Sequence, residues 1–261
     1  MSQVKRQEGE SRNRLTVTGY HKREERTVNI VDLKARPVPG WKQNILQAYP
    51  FLPYWWIRGV TSDSRQALMR RELDKASAGE GACLLGCLSE TDGLLGFIHM
   101  RRLEWDTNHF GLEIWRLDHL GTWDKTRQAA IAKELVKEGL QIAHSRGCQN
   151  AQARLPIDNL TAVHALEDVG FHTMEILTTW LFDLTRSSIP PKSCPDVVRD
   201  FTAADAEALI ELARRAYTPI PDRFHMDPRL SARASDELYA EWMRGSCSGE
   251  LADHVAVAES G

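Results

Sequence analysis

The sequence lacks the features that would export the protein or hold it in a membrane. Its first 28 residues are mostly charged or small and polar, without the apolar stretch of a signal peptide, and no run of 18 apolar residues occurs anywhere. A formal net charge of -3 provides no basic field for nucleic acid phosphates. We therefore expect a cytoplasmic globular protein that has neither a membrane nor nucleic acid as a partner.

The sequence also lacks a disulfide framework and a clear metal motif. Its five cysteines are odd in number and widely scattered, which is typical of free thiols in a reducing compartment. Cys83 and Cys87 form a C-x-x-x-C pair, but no second pair of Cys or His lies nearby. We expect no metal cofactor.

The composition of the chain and one Ser- and Pro-rich stretch divide it into two units. Hydrophobic residues make up 42% and charged residues 26% of the 261 positions, an ordinary globular balance. Residues 1–26 are too polar to bury a core and are predicted to be a disordered tail. The Ser- and Pro-rich stretch 187–196 is typical of a linker. It separates a first unit at 27–186 from a second at 197–261.

Hydrophobic periodicity predicts an α/β fold for the first unit, in the order β, α, β, β, β, α, β, α, β. Asp63 or Ser64 is predicted to cap a helix, and Asp92-Gly93 between two apolar runs predicts a β-hairpin. The segment TRQAAIAKELVKEGLQIAHSRG predicts a long helix, and FHTMEILTTWLFDL predicts the final strand. In the second unit, Thr202 is predicted to cap a helix, and HVAVAESG reads as one more strand.

One spaced motif carries a family resemblance. The pattern N-x-x-A-x-x-x-L-x-x-x-G-F, which begins at Asn159, together with the strand order, resembles the GNAT superfamily of acyl-CoA-dependent N-acyltransferases. The resemblance implies a mixed central sheet flanked by helices. Because VVRDFTAADAEALIELARRAY also resembles the opening strand and helix of that superfamily, it implies a partial second copy from Val197.

The stretch EWDTNHFGL at 104–112 is similar to a signature of TDP-fucosamine acetyltransferases, a tandem type within the superfamily. The resemblance implies acetyl-CoA as co-substrate and a small-molecule amine as acceptor, for which an amino-sugar nucleotide is one candidate. It assigns substrate binding to four residues: Trp105, His109, Phe110 and Gly111. It assigns cofactor binding to four others: Leu117, His119, Gly121 and Asn159.

The cofactor motif departs from the family pattern. In the family a loop [QR]-x-x-G-x-[GA] before the long helix binds the CoA diphosphate through backbone N–H groups. Residues 118–123 read D-H-L-G-T-W in that slot, and a shifted match at 127–132 is expected to lie inside the helix. Leu166 stands where many members have a tyrosine that protonates the departing thiolate. The first copy is therefore expected to be a poor CoA site.

Direct acyl transfer needs a base for the amine but no nucleophilic side chain, so the absence of a Ser or Cys nucleophile motif is expected. Asp106 and Glu113 are the candidate catalytic residues, with His109 as a further base. A solvated or capped loop is the simpler interpretation of these groups. Likewise Trp105 and Phe110 could stack on a sugar or fill the core, and PYWWIRG at 53–59 is expected to pack in the core.

These observations leave three functions open. The leading hypothesis is an acetyl-CoA-dependent N-acetyltransferase acting on a primary amine, although catalysis by this chain alone is in doubt. The chief alternative is a non-catalytic GNAT-like scaffold or binding module, and the third is a first copy active on an unrelated amine. A homodimer is among the assemblies that we expect.

Overall fold

The computed structural model describes residues 28–36, 38–188, 197–217 and 220–259. The predicted tail at 1–26 and most of the predicted linker at 187–196 lie outside these residues, so the domain boundary stays a prediction. The strands are β1 (Asn29–Asp32), β2 (Ala82–Leu88), β3 (Leu94–Arg102), β4 (Ile114–Thr122), β5 (Asn150–Ala153), β6 (Val197–Asp200) and β7 (Ala256–Glu259). The helices are α1 (Trp41–Ala48), α2 (Ser62–Ala78), α3 (Glu104–Phe110), α4 (Gln128–Ser145), α5 (Leu160–Asp168), α6 (Ala206–Tyr217), α7 (Arg223–Met226) and α8 (Ala232–Cys247).

The first unit is built on a mixed five-stranded sheet in the order β1-β2-β3-β4-β5. The first four strands are antiparallel to their neighbours, and β5 runs parallel to β4 after the crossover through α4. Asp92, in the left-handed region at φ 58°, and Gly93 turn the chain between β2 and β3. The predicted hairpin and the predicted mixed α/β fold are confirmed.

Helices cover both faces of this sheet, because side chains along each strand alternate between them. On β2, Leu84 packs in a core with α1 and α2, whereas the adjacent Leu85 packs in the core beneath α4 and α5. Phe97 and Ile98 divide between the same two cores on β3. Each face therefore has its own buried apolar cluster.

A β-bulge interrupts the pairing of β3 with β4. Met100 lies opposite Leu117 and His99 lies opposite His119, so Asp118 is an extra residue on β4. Leu117 and Leu120 consequently both join the core beneath α4, although they are three residues apart. The bulge turns His119 toward the α1 and α2 face, where its ring meets Tyr49 at 5.6 Å between centroids.

The second unit consists of the antiparallel pair β6 and β7 with helices α6 to α8. Thr202 and Asp205 form the predicted capping box, which opens a 3-10 turn ahead of α6. The predicted last strand is confirmed as β7, and β6 is its partner. Phe224 and Leu238 of this unit share a buried apolar cluster with Leu103 and Ile114 of the first, so the two units are in contact.

Two local predictions are corrected. The segment 104–110, which was expected to be a loop, is helix α3, because its Thr107 and Phe110 can bury one face against neighbouring elements. Thr61, rather than Asp63 or Ser64, caps α2 by accepting a hydrogen bond from the Ser64 amide.

The predicted final strand of the first unit does not form. Residues 172–183 carry no regular secondary structure, and no strand among the described residues pairs with them. A strand needs a neighbour for its backbone N–H and C=O groups, and high β-propensity cannot replace that neighbour. Glu175 ties the segment to α7 through Arg223, at 2.9 Å. Its large apolar side chains are exposed: Ile176, Leu177, Trp180, Leu181 and Phe182, with the nearby Leu184.

Candidate functional site

The structure separates the predicted site residues into two groups at opposite ends of β4. The predicted substrate and catalytic residues lie on α3 or at the start of β4, whereas the predicted cofactor residues lie along the second half of β4 and at the start of α5. Eight residues separate Glu113 from Gly121, which at the strand rise of about 3.3 Å per residue places them roughly 26 Å apart. The two groups therefore do not form a single compact site.

The predicted substrate residues pack against the second unit. Phe110 stacks on Phe224 with 5.7 Å between ring centroids, and His109 Nε2 lies 2.8 Å from the carbonyl oxygen of Ala234. Trp105 lies over the ring of His109 at 4.8 Å and remains 43% exposed. These contacts support the simpler interpretation of core and interface packing. Gly111 ends α3 in the left-handed region, at φ 66°, which a residue without a side chain adopts easily.

The two predicted catalytic carboxylates also have structural roles. Glu113 accepts hydrogen bonds from Arg102 at 2.7 Å and from the Trp115 indole at 3.3 Å. Asp106 lies in the first turn of α3, where a negative charge favours the helix dipole. Neither residue lies near the carboxyl end of β4.

The carboxyl end of β4 contains an opening in the sheet. The last pair between the parallel strands is Leu117 with Ala153, and β4 then continues to Thr122 without β5 beside it. We call the gap between residues 118–122 and residues 154–159 the β4–β5 opening. In this stretch the backbone of β4 has no strand partner on its β5 side.

Asn159 closes part of the β4–β5 opening. Its Nδ2 donates to the carbonyl oxygen of Leu120 at 2.9 Å, while its Oδ1 accepts from the Ala162 amide at 3.4 Å. The second contact makes Asn159 the N-cap of α5. One side chain thus fixes the start of α5 and marks the edge of the opening.

The turn from β4 into α4 differs from its predicted position. Residues 118–122 belong to β4 and therefore cannot form a phosphate-binding loop; the turn is 123–127 instead. Asp124 organises this turn by accepting hydrogen bonds from the Thr126 amide at 3.0 Å and from Arg127 Nε at 2.9 Å. Hydrogen bonds from Thr126 and Arg127 lower the pKa of Asp124 to about 2.

The first turn of α4 is open to solvent. Arg127 is the N-cap residue rather than an internal helical residue, and it provides no side-chain cap. The amides of Gln128, Ala129 and Ala130 have no partner within the helix, as at every helix start, and all three residues are exposed. Small side chains at 129 and 130 let an anion approach these N–H groups. The shifted motif at 127–132 thus begins at the N-cap of α4 and not inside the helix.

Two of the predicted cofactor residues, Leu117 and Gly121, have packing roles in the core. Leu117 is fully buried beneath α4, and a side chain at Gly121 would place its Cβ 2.6 Å from the Tyr49 ring. Leu166 is 7% exposed and packs in the same core as Leu117. No hydroxyl is therefore available at position 166 to protonate a leaving group.

A cluster of titratable side chains lies on the other face of β4, beside the opening. His119 Nε2 is 2.8 Å from Glu72 Oε2 of α2, and the ring of His99 on β3 stacks at 6.0 Å from that of His119. His99 is buried, and its Nδ1 has no hydrogen-bond partner. Burial, and then the nearby His119, lower the pKa of His99 from 6.5 to about 4.

Asp118 beside this cluster is held by two arginines, Arg101 at 2.7 Å and Arg116 at 2.6 Å. Burial opposes its ionisation, but the two guanidinium groups prevail and keep the pKa of Asp118 below its usual value. Sequence reasoning missed Glu72 and His99, because they come from elements far apart in the chain. The one signal in the sequence was the presence of two histidines, His99 and His119, at inward-facing positions of neighbouring strands. Among the described residues, no group of three or more His, Cys, Asp or Glu could hold a metal ion.

No protein-family model matches the chain. It is 26% identical over 113 residues to the spore coat polysaccharide biosynthesis protein SpsD of Bacillus subtilis (strain 168), covering 41% of this chain and 36% of that protein. The chain thus matches about a third of the length of this relative.

Two solved structures illustrate the likeness of the fold. A putative acetyl transferase from Pyrococcus furiosus has a TM-score of 0.47 and 17% identity, covering 60% of this chain and 100% of the other. The aminoglycoside antibiotic 6'-N-acetyltransferase AAC(6')-Ih from Acinetobacter baumannii has a TM-score of 0.43 and 15% identity, covering 60% and 99%. At these values the likeness does not decide the activity, which has to be argued from the geometry of the site. None of the helices in the described part of the chain has the length and apolar character that crossing a bilayer requires.

Proposed function

We propose that the protein is an N-acetyltransferase that transfers the acetyl group of acetyl-CoA to a primary amine. The observation that carries this proposal is the β4–β5 opening, with the exposed start of α4 directly after it in the chain. The pantetheine arm of CoA is a chain of amides, so it can lie along the unpaired part of β4 as a strand would. The diphosphate then meets the N–H groups at the start of α4.

The protein's contribution to the chemistry is positioning. Direct transfer needs the amine and the thioester carbonyl held in line, and hydrogen-bond donors where the oxyanion develops. The unpaired backbone of β4 supports such a role. Asn159, whose amide already reaches Leu120, is the side chain best placed to contact the arm of the co-substrate.

Amino sugars, including amino-sugar nucleotides, are the acceptors that we propose within this class. The support is the name of the relative in Bacillus subtilis, which places that protein in polysaccharide biosynthesis. A cytoplasmic location and a homodimer stay predictions from the sequence.

A carboxylate placed at the start of α4 tests the co-substrate site. Ala130→Glu puts a negative charge where the diphosphate would bind, and a glutamate at the third helical position does not harm a helix. Gln141→Glu adds the same charge at an exposed position in the second half of α4 and is the matched control. We expect isothermal titration with acetyl-CoA to show a loss of at least tenfold in affinity for Ala130→Glu and no change for Gln141→Glu.

Acetyl transfer itself is measured by mass spectrometry of a panel of amines that includes glucosamine and an amino-sugar nucleotide. Equal affinity in the two variants would remove the diphosphate assignment. No heat with millimolar acetyl-CoA and no acetylated amine would reject the enzyme and leave a second candidate, a non-catalytic binding module. The specific observation that favours this candidate is Leu166, which has no proton to give to the departing thiolate.

A further inference from the structure

The imidazole of His119 lies beside the β4–β5 opening. His119 directly precedes Leu120, whose carbonyl oxygen faces the opening and bonds Asn159. The His119 side chain is 13% exposed, and its ring contacts the rings of Tyr49 and Phe97. It is therefore held in place by packing but still reachable from solvent.

Glu72 determines which nitrogen of His119 carries a proton. An ionised carboxylate can only accept hydrogen bonds, so the contact of 2.8 Å requires a proton on Nε2. The neutral ring then has its free lone pair on Nδ1. Within the described part of the chain no hydrogen bond reaches that nitrogen, and it is not among the buried atoms that lack a partner.

The other titratable groups around His119 are unsuited to accept a proton from an amine. His99 is fully buried on β3, and Asp118 is committed to Arg101 and to a second arginine. Tyr49 is buried, and burial raises the pKa of its hydroxyl. His119 and Glu72 are thus the pair that combines a free lone pair, an orienting carboxylate and contact with solvent.

We infer that His119, oriented by Glu72, is the base that deprotonates the acceptor amine. This inference rests on the proposed function. The ammonium form of the acceptor gives one proton to Nδ1, and the free amine attacks the thioester carbonyl carbon. The tetrahedral intermediate then expels the CoA thiolate, and the second proton passes from the new amide nitrogen to that thiolate. The imidazolium of His119 releases its proton to water beside the exposed Glu72, which restores the base.

The test compares four histidine and glutamate variants in the acetyl-transfer assay. His119→Gln is expected to lower kcat by about a hundredfold or more, the usual contribution of a general base, without changing the affinity for acetyl-CoA by titration. His144→Gln, at an exposed position in the last turn of α4, is the matched control and should retain kcat. Unchanged titration with acetyl-CoA also shows that the variant is folded.

Glu72→Gln distinguishes an orienting role from a structural one. Loss of the carboxylate lets the ring take either tautomer, so kcat should fall about tenfold while the affinity for acetyl-CoA by titration stays unchanged, and Glu72→Asp, which keeps a carboxylate, should recover part of kcat. A kcat of His119→Gln within twofold of the unchanged protein, or an unchanged kcat in Glu72→Gln, would overturn the inference while leaving the proposed function intact. Absence of any transfer by the unchanged protein would overturn both.

Discussion

The buried histidine beside the site makes the protein sensitive to mild acid. His99 has a pKa of about 4 in the folded protein and 6.5 as a free side chain, because burial, and then His119, oppose its positive charge. Above pH 6.5 His99 is neutral in both the folded and the unfolded protein, so its burial costs no stability there. Below that value the unfolded chain binds a proton that the folded chain rejects, so stability falls as the pH approaches 4.

The magnitude follows from the difference in pKa. One pH unit below 6.5 costs about 1.4 kcal/mol of the free energy of unfolding, so at pH 5.5 the loss from this side chain is about 1.4 kcal/mol. For a protein of this size that is a decrease of roughly 3 to 6 °C in Tm. We expect urea unfolding, followed by circular dichroism at pH 7.5, 6.5 and 5.5, to show this loss in the unchanged protein and its absence in His99→Gln.

His144→Gln is again the control, because it removes an exposed imidazole far along α4 and leaves His99 unchanged. The reasoning would be refuted by an identical pH dependence in His99→Gln and the unchanged protein. An NMR titration that shows His99 protonating near pH 6.5 would refute it as directly.

Three further predictions concern packing, charge and exposure. Gly121→Ala should cost about 1–3 kcal/mol of the free energy of unfolding, because its Cβ would come within 2.6 Å of an aromatic ring, while Gly81→Ala, with 3.7 Å of room, should be nearly neutral in the same urea assay. Asp227→Asn should lower the free energy of unfolding by about 2 kcal/mol at pH 7, because hydrogen bonds, chiefly from Arg229, lower the pKa of Asp227 to about 2. That stabilisation is present above pH 4 and is lost as the pH falls toward 2. The variant and the unchanged protein should therefore have the same stability in acid. Trp180→Asp should change the free energy of unfolding by less than about 0.5 kcal/mol, because the side chain is 89% exposed, but should reduce the binding of a hydrophobic dye; equal dye binding would contradict this.

Local signals in the sequence were sufficient for much of the fold. Asp92-Gly93 specifies a turn that only a few residue types adopt. Asn159 and Thr202 mark the starts of helices, because their side-chain oxygens can cap the first turn. These features depend on residues within a few positions of each other. The parallel pairing of β4 with β5 is the arrangement that the long helix between them allows.

The site was less predictable, because its parts come from separate elements. Glu72 and His119 lie 47 positions apart, and no spacing rule connects a helix residue with a strand residue across a face of the sheet. The role of segment 104–110 was hard to predict for a different reason, because its aromatic side chains suit a ligand site and a packing interface equally well. Only the contacts with the second unit separate those two roles. The predicted strand at 172–183 does not form, because a high β-propensity does not provide a neighbouring strand to pair with.

The extra residue in β4 makes this point of the strand tolerant of a change in length. Because Leu117 lies opposite Met100 and His119 lies opposite His99, removing Asp118 would let β3 and β4 pair regularly without changing the face of the residues that follow. His119 would remain beside Glu72, and Leu120 would remain beneath α4. Only the ion pairs of Asp118 with Arg101 and Arg116 would be lost. A deletion elsewhere in β4 would instead move the residues on one side of it to the opposite face. In the course of evolution, a change of one residue in the length of this strand is therefore tolerated best at the bulge.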